Sequence, residues 1–189
     1  MPSLLPPLLA ALPEEQPVLT VADLVLRPWE EADAPAVQAA YEDPEIQRWH
    51  GEMLEDAEAA VYAQSWAERW RTSSRAGWAV TRDDVLVGRI TLVRLDLWQG
   101  QAEVTYWTVA AARGTGVAPR AVQAVATWAF GLGFHRLELG HSTANSASCR
   151  VAEKSGFRLE CTRREQGMHA DGWHDMHLHA RLVGDPLPE

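Results

Sequence analysis

The alternation of apolar and polar residues changes its period several times along the chain, and each change predicts an element. Residues 21–28 alternate as in a strand, and Pro28 ends the run because proline has no N–H to donate to a sheet. A helix is expected to begin after Asp33 as N-cap and to end near residue 43. A second helix is predicted at about 55–72, where alanine and aromatic residues recur on one face.

The middle and end of the chain predict paired strands joined by a crossover. Runs at 77–82 and 85–95 flank two aspartates and indicate a hairpin, and a further strand follows at 102–109. Helical spacing then extends from Val117 to Phe130, where glycines follow. The remaining predicted elements are a strand at 136–139, a helix at 147–154 and strands at 157–164 and 173–182. This order predicts an α+β fold with antiparallel pairs and one parallel crossover at the third helix.

Length and composition favour one soluble domain. The chain has 189 residues, of which 47% are hydrophobic and 23% charged. Residues 1–18 contain several prolines and are expected to form a loosely packed arm ahead of a single domain at 19–184. An uninterrupted apolar run of roughly 18 residues, as a membrane span requires, does not occur in the sequence. Two cysteines are too few for a secreted disulfide scaffold, so a cytoplasmic protein with no membrane role is expected.

The charge balance narrows the choice of partner. The formal net charge is −9 and no run of basic residues occurs, which argues against nucleic acid binding because phosphates require clustered Lys and Arg. Long-range attraction favours cationic partners such as amines and mildly disfavours an acidic protein substrate.

The turn Arg113-Gly114-Thr115-Gly116 stands where a predicted strand ends and a long helix begins. Backbone N–H groups at a helix start have no intrahelical partner, and the helix dipole adds roughly 0.3–1 kcal/mol for an anion. Two glycines allow close approach of a ligand, so a diphosphate suits this turn, and Arg113 is available to pair with a phosphate. A Rossmann fingerprint would need a third glycine where Pro119 stands, and taken alone such a turn more often reflects turn geometry only.

The sequence on both sides of this turn resembles that of a known protein family. The stretch AEVTYWTVAAARGTGVAPRAVQAVATWAFGLGFHRLELGHSTANSASCRVAEKSGFRLE, at 102–160, closely resembles the cofactor-binding half of the GNAT acetyltransferases. The likeness is greatest to the RimJ/RimL-like branch, which acetylates protein N-termini and small amines. LVLRPWEEAD at 24–33 and GWHDMHLHARL at 172–182 resemble the first and closing strands of that branch.

The resemblance implies a fold and an activity. It implies the GNAT acyltransferase fold, with a mixed central sheet of about seven strands flanked by about four helices. The implied activity is direct transfer of an acetyl group from acetyl-coenzyme A, the co-substrate, to a primary amine of a protein N-terminus or a small molecule. The alternatives are a non-catalytic coenzyme A-binding regulatory module and an acyltransferase for a larger group such as succinyl. Homodimers are common in this branch.

The resemblance also implies a location for coenzyme A. Thr108 and Val109 would pair with pantetheine, Asn145 would contact the pantetheine arm, and Arg150 would meet the phosphates. The superfamily has Gln or Arg where this chain has Ala111, a departure that bears on affinity more than on function. The residues implied to hold the pyrophosphate through backbone N–H groups are Arg113, Gly114, Thr115, Gly116, Val117 and Ala118.

Acetyl transfer requires a neutral amine, a polarised thioester and a proton for the thiolate. Many family members place a tyrosine acid where this chain has Ala152. Ser148, one turn earlier, resembles the serine that RimL-like enzymes place beside the cofactor sulfur, and we expect it to be the acid. Cys149 is the alternative, although a cysteine in such a helix is more often a small core residue. We expect Glu103 to be the base, directly or through water, against the alternative of a surface carboxylate.

Histidines are further candidates for proton transfer, metal binding and contact with the acceptor. His135 and His141 bracket the fifth predicted strand as alternative proton carriers, although loop histidines are more often simply solvated. His177 and His179 share one face of the last strand, which raises the question of a metal. No metal is expected, because a metal site needs a third ligand on that face and the family resemblance places none there. His174 and Asp175 are instead expected to line the acceptor pocket.

The acceptor half is rich in tryptophan, and most of these side chains are expected in the core. Trp49 and Glu52 are the exceptions, because they occupy a predicted loop between the first two helices, where family members bind the acceptor. We predict that both contact the substrate and that Glu52 attracts the amine. The alternative is a buried tryptophan beside a solvated carboxylate.

Overall fold

The computed structural model describes residues 11–50, 58 and 61–187. The strands are β1 Leu19–Val21, β2 Leu24–Arg27, β3 Ala76–Arg82, β4 Val85–Asp96, β5 Gln101–Thr108, β6 Arg136–Ser142, β7 Arg158–His169 and β8 Gly172–Leu182. The α-helices are α1 Ala34–Tyr41, α2 Pro44–His50, α3 Tyr62–Arg71, α4 Val117–Leu132 and α5 Ser146–Lys154, and short 3-10 turns occur at Glu31–Asp33 and Ala110–Ala112.

All eight described strands form one sheet in the order β1-β2-β3-β4-β5-β6-β8-β7. Every neighbouring pair is antiparallel except β5 and β6, which are parallel and joined by α4. The predicted α+β class and the crossover at the helix after residue 117 are therefore confirmed. The described sheet has one strand more than the expected seven. The additional strand is β1, which pairs with β2 in a hairpin that turns at Ala22, whose φ is 52°, so the predicted run at 21–28 is only the second half of this hairpin.

Apolar side chains on the two faces of the sheet form two packed clusters. On one face, α4 covers β4 and β5 with Val122, Val125 and Ala129, all fully buried. On the other face, α1, α2 and α3 pack around Trp66 and Trp107. As expected, most tryptophans of the N-terminal half belong to these clusters.

Helix α2 differs from the sequence-based expectation. The first helix was predicted to stop before Pro44, but Pro44 begins a second helix instead. Proline is tolerated there because the first residues of a helix need no N–H partner within the helix. Trp49 therefore lies in the last turn of α2 and not in a loop.

The described part of the N-terminal arm is fixed to the domain, which corrects the expectation of loose packing for residues 11–18. The indole N–H of Trp70 donates to the Pro13 carbonyl at 2.8 Å, and that of Trp78 donates to the Pro17 carbonyl at 2.9 Å. Leu12 is 7% exposed and belongs to the main core cluster. Burial of Leu12 and these two hydrogen bonds together hold the segment against α3 and β3.

Strands β5 and β6 separate shortly after they begin. They pair only from Gln101 with Arg136 to Glu103 with Glu138, although β5 continues to Thr108 and β6 to Ser142. The facing backbone edges beyond these pairs are open to a bound molecule. This divergence positions the candidate site.

Candidate active site

The opening between β5 and β6 leads into a cavity of about 1300 Å³ that reaches from the start of α4 to the ends of α2 and α3. Most of the residues singled out from the sequence line this cavity: Trp49, Glu103, Thr108, Arg113, Gly114, Gly116, Val117, Ala118, Asn145, Ser148 and Arg150. Val109 and Thr115 belong to the same segment without lining it, and Glu52 lies outside the described residues.

The turn before α4 has the backbone shape of an anion cradle. Gly114 and Gly116 have φ values of 77° and 80°, in the left-handed region that favours glycine. A Cβ at Gly114 would meet no atom within 4 Å, so this glycine faces open space. Helix α4 begins at Val117, so the N–H groups of Val117 and Ala118 have no intrahelical partner. The cradle therefore presents backbone donors to the cavity.

The side chain of Arg113 is held at the rim of this cradle. It forms an ion pair with Asp43 at 2.7 Å, and its Nε donates to the Thr108 carbonyl at 3.1 Å. The hydroxyl of Thr115 donates to the Ala112 carbonyl at 2.8 Å. The side chains of Arg113 and Thr115 thus order the loop, and backbone groups remain the donors for a phosphate.

Helix α5 brings an amide and a hydroxyl to the opposite wall. Asn145 is its N-cap, and the Asn145 Oδ1 accepts from the Ser148 N–H at 3.0 Å. A hydrogen bond of 2.7 Å joins the Ser148 Oγ to the Tyr106 hydroxyl on β5. Burial raises the pKa of Tyr106 to about 12, so its hydroxyl stays protonated at neutral pH. Sequence reasoning missed Tyr106, because a strand tyrosine is most often a packing residue.

Glu103 lies where β5 and β6 part, and its side chain is 19% exposed. Burial raises the pKa of this carboxyl, and the Arg94 guanidinium, whose Nη1 is 3.0 Å from Oε2, opposes that rise. Arg94 has a φ of 50° at an irregularity between β4 and β5, and such bulges redirect side chains beside active sites. The cavity therefore contains the Glu103 carboxylate, whose pKa is raised, and the hydrogen-bonded hydroxyls of Tyr106 and Ser148.

A family profile described as the acetyltransferase (GNAT) domain matches residues 23–158. The chain belongs to the GNAT acetyltransferase family. A GNAT N-acetyltransferase is an acyltransferase, and the cradle and the residues that line the cavity, apart from His169 and Met176, lie inside the matched residues.

Curated relatives of this GNAT protein are N-acetyltransferases. The uncharacterized N-acetyltransferase YoaA of Bacillus subtilis is 30% identical over 161 residues, which cover 82% of this chain and 90% of YoaA. The ribosomal-protein-serine acetyltransferase of Escherichia coli is 28% identical over 105 residues, covering 55% of this chain and 59% of that protein.

Solved structures with the same fold confirm the expected GNAT architecture. A RimL ribosomal L7/L12 alpha-N-protein acetyltransferase in complex with coenzyme A superposes with a TM-score of 0.81 at 19% identity, over 88% of this chain and 98% of that one. The microcin C7 self-immunity acetyltransferase MccE, in complex with acetyl-CoA and AMP, gives a TM-score of 0.78 at 14% identity, over 86% and 93% of the two chains. Within the described ranges of this GNAT chain, none of the helices is both long and apolar enough to span a membrane.

The side of the GNAT cavity next to α2 is bounded by contacts between α2 and the β7–β8 hairpin. The Trp49 ring lies edge-on to His169, with ring centroids 5.5 Å apart, and His169 Nδ1 lies 3.1 Å from the Arg48 carbonyl. Arg48 also forms an ion pair with Asp171 at 3.4 Å. These contacts place Trp49 at the cavity wall, and its contact with the substrate stays a prediction.

His174 and Asp175 lie outside the cavity wall, which differs from the expectation that they line the acceptor pocket. His174 Nδ1 is 2.7 Å from the Ser142 Oγ, and its ring packs against His169 and Trp49, so it contacts residues of the cavity wall without lining the cavity itself. The Asp175 carboxylate accepts from the Glu165 N–H at 2.9 Å, on the main chain of β7. Successive strand residues point to opposite faces, so the two side chains are separated.

Half-buried His50 also lines this side, although sequence reasoning did not select it. Burial and the charge of Arg89 lower the pKa of His50 to about 4, against a smaller opposing effect of its hydrogen bond to the Tyr106 backbone. The imidazole is therefore neutral at pH 7. The sequence could have indicated His50 as a cavity residue, because it directly follows Trp49.

One sequence-based argument needs correction. The expectation of no metal rested on the absence of a third ligand beside His177 and His179. His141 and Cys149 converge on the same point, with the four ligand atoms within 4.8 Å of one another. Cys149 is also half-exposed and not the core residue that was the alternative to a reactive thiol.

Proposed function

We propose that this GNAT protein transfers an acetyl group from acetyl-coenzyme A directly to the amine of a protein N-terminus. The observation that carries the proposal is the opening between β5 and β6, which ends at Glu103 and joins the backbone cradle to the acceptor side in one cavity. The names of the relatives that act on ribosomal proteins support a protein N-terminus as acceptor.

The residues of the opening fit coenzyme A. The cradle supplies backbone N–H groups of Val117 and Ala118 for the pyrophosphate, and Gly114 leaves room for it. The unpaired edges of β5 and β6 offer main-chain partners to the amide groups of pantetheine. The Asn145 Oδ1 accepts from Ser148, so the amide nitrogen of Asn145 remains to donate to the pantetheine arm.

Ser148 and Tyr106 support the departure of the thiolate. The amine nitrogen bonds to the thioester carbon, the carbon–sulfur bond breaks, and the sulfur takes the electron pair and finally a proton. When Tyr106 donates to the Ser148 Oγ, the Ser148 proton is directed away from Tyr106 and towards the cavity. In this arrangement Ser148 is the hydrogen-bond donor to the sulfur, and Tyr106 is a positioning residue.

Glu103 supports the removal of the proton that the amine loses. It lies at the narrow end of the opening, on the face of β5 opposite to Tyr106, because the two positions differ by an odd number of residues. The thioester would lie between them. A carboxylate whose pKa is raised by burial is a better base than an exposed one, and it acts here directly or through a water.

A panel of acceptors tests this proposal. Full-length protein is incubated with acetyl-coenzyme A and, separately, N-terminal peptides, the same peptides with blocked N-termini, polyamines and aminoglycosides, and thiol release is measured. Release with free N-terminal peptides alone is expected. Release with the small amines only would replace the proposed acceptor, and coenzyme A binding without release for any amine would favour the non-catalytic module. The same assay with succinyl-coenzyme A tests the larger acyl group.

A further inference from the structure

Four side chains that can ligate metals meet beside the cavity. His141 is on β6, His177 and His179 are on β8, and Cys149 is on α5, and their ligand atoms lie within 4.8 Å of one another. The strand register explains the meeting of the histidines. His141 pairs directly with His177, and His179 follows two residues later on the same face.

Hydrogen bonds fix the ring protons of two of these histidines. His141 Nδ1 is 2.8 Å from the Ser142 carbonyl, and His179 Nδ1 is 3.4 Å from the Phe157 carbonyl. A carbonyl oxygen only accepts, so each Nδ1 carries the proton and each Nε2 is left with a lone pair. Those two Nε2 atoms lie 3.1 Å apart. Two facing lone pairs at this distance repel each other unless a cation lies between or beside them.

The same arrangement is that of metal-bound histidines, which donate the other ring N–H to a carbonyl and so fix the ring. With metal–nitrogen bonds of about 2.0–2.1 Å, a tetrahedral site holds two nitrogen ligands about 3.4 Å apart. The observed 3.1 Å separation is close to this value. Small movements of the two rings would admit an ion.

His177 completes the nitrogen set. Its ring centroid lies 5.4 Å from that of His141 and 5.9 Å from that of His179. Its Nδ1 is buried and has no hydrogen-bond partner within the described part of the chain. An unpaired buried nitrogen is costly unless it binds something.

Cys149 supplies a sulfur from the facing helix. Its Sγ lies 3.6 Å from a carboxylate oxygen of Glu153. A metal binds the thiolate form of cysteine, so its binding would displace the thiol proton as H⁺. The ligand set would then consist of three neutral imidazoles and one thiolate.

We propose that His141, Cys149, His177 and His179 form a binding site for a divalent, borderline-soft transition metal of the zinc class. Three imidazoles and a thiolate in a compact cluster match the tetrahedral preference of Zn²⁺, whereas Mg²⁺ and Ca²⁺ require oxygen ligands. The site would fasten α5, which carries Asn145 and Ser148, to β6 and β8. It is independent of the proposed acceptor.

Cobalt titration tests this site, because Co²⁺ replaces Zn²⁺ in such ligand sets and absorbs visible light. The full-length protein is dialysed against a chelator and titrated with Co²⁺. Saturation at one equivalent is expected, with the strong visible bands of tetrahedral cobalt, a thiolate-to-cobalt charge-transfer band and displacement of both by Zn²⁺. Only the weak bands of octahedral cobalt, or no saturation at one equivalent, would overturn the proposal.

Variants assign the ligands. Cys149→Ser, at a half-exposed position, should remove the charge-transfer band. His179→Gln should weaken cobalt binding at least about tenfold, since even outer partners of metal ligands cause losses of this size. The matched controls are Cys161→Ser, at the other free cysteine, and His169→Asn, at a histidine outside the cluster. A charge-transfer band that survives Cys149→Ser and disappears in Cys161→Ser would contradict the assignment. Circular dichroism of each variant separates loss of ligation from loss of folding.

Discussion

The Tyr106 hydroxyl lies 2.7 Å from the Ser148 Oγ and links strand β5 to helix α5 across the opening that divides β5 from β6. Burial keeps Tyr106 protonated by raising its pKa to about 12. The pair therefore offers an oriented neutral donor beside the expected position of the thioester sulfur.

Removing the hydroxyls of this pair should slow the chemical step. Ser148→Ala is expected to lower kcat by about a hundredfold, and Tyr106→Phe by on the order of tenfold, because only Ser148 would contact the sulfur. The KM for acetyl-coenzyme A should change little in either variant. Steady-state kinetics measure both constants. Ser74→Ala, at a surface hydroxyl away from the cavity, is the control, and a Ser148→Ala enzyme with wild-type kcat would exclude the proposed acid.

The pH dependence of the rate should report Glu103. A base acts in its deprotonated form, so kcat/KM should rise with pH through the raised pKa of Glu103. Arg94 lowers that pKa by its charge, so Arg94→Met should move the inflection to higher pH. Glu103→Gln should abolish the inflection, whereas Glu138→Gln, at the neighbouring carboxylate paired with Arg136, should keep it and move it to lower pH, because the Glu138 charge raises the pKa of Glu103. An unchanged profile in Glu103→Gln would assign the base elsewhere.

Neutral His50 should make stability depend on pH. Its pKa falls from 6.5 to about 4 on folding, so the unfolded chain binds more protons between these values. The stabilising contribution of the neutral ring is complete above 6.5 and is lost as the pH falls towards about 4. In His50→Asn, the free energy of unfolding should fall less steeply over this range, as measured by urea denaturation. His135→Asn, at an exposed histidine, should match the wild type, and equal slopes for His50→Asn and wild type would contradict the burial of His50.

Because the atoms around Gly77 are closely packed, adding a single methyl group there should lower the free energy of unfolding. A Cβ there would lie 2.5 Å from a ring carbon of Trp66, so Gly77→Ala should destabilise the fold by about 1–3 kcal/mol. Gly131→Ala is the matched control, because its Cβ would meet nothing within 4 Å on helix α4. That change should stabilise by about 0.5–1 kcal/mol. Denaturant unfolding measures both, and a neutral Gly77→Ala would show that Trp66 moves aside freely.

The sequence predicted the order of elements well from residue 77 onwards, because strand and helix periods alternate there and glycines mark the helix ends. It did not predict helix α2, since Pro44 is equally suited to end one helix or to begin another. In the site, the cradle could be predicted from the sequence, because the residues that supply its backbone N–H groups are consecutive. The Tyr106–Ser148 pair, the Arg94–Glu103 pair and the convergence of His141 with Cys149 depend on strand register, a local irregularity and helix docking, which are set by distant parts of the chain.

The most direct test of direct acetyl transfer is mass spectrometry of a reaction that contains the full-length protein, acetyl-coenzyme A and an N-terminal peptide. The account predicts one acetyl group on the peptide amine for each thiol released, and no acetylated protein when the peptide is omitted. A stoichiometric acetyl-enzyme without peptide, or thiol release without an acetylated amine, would contradict it.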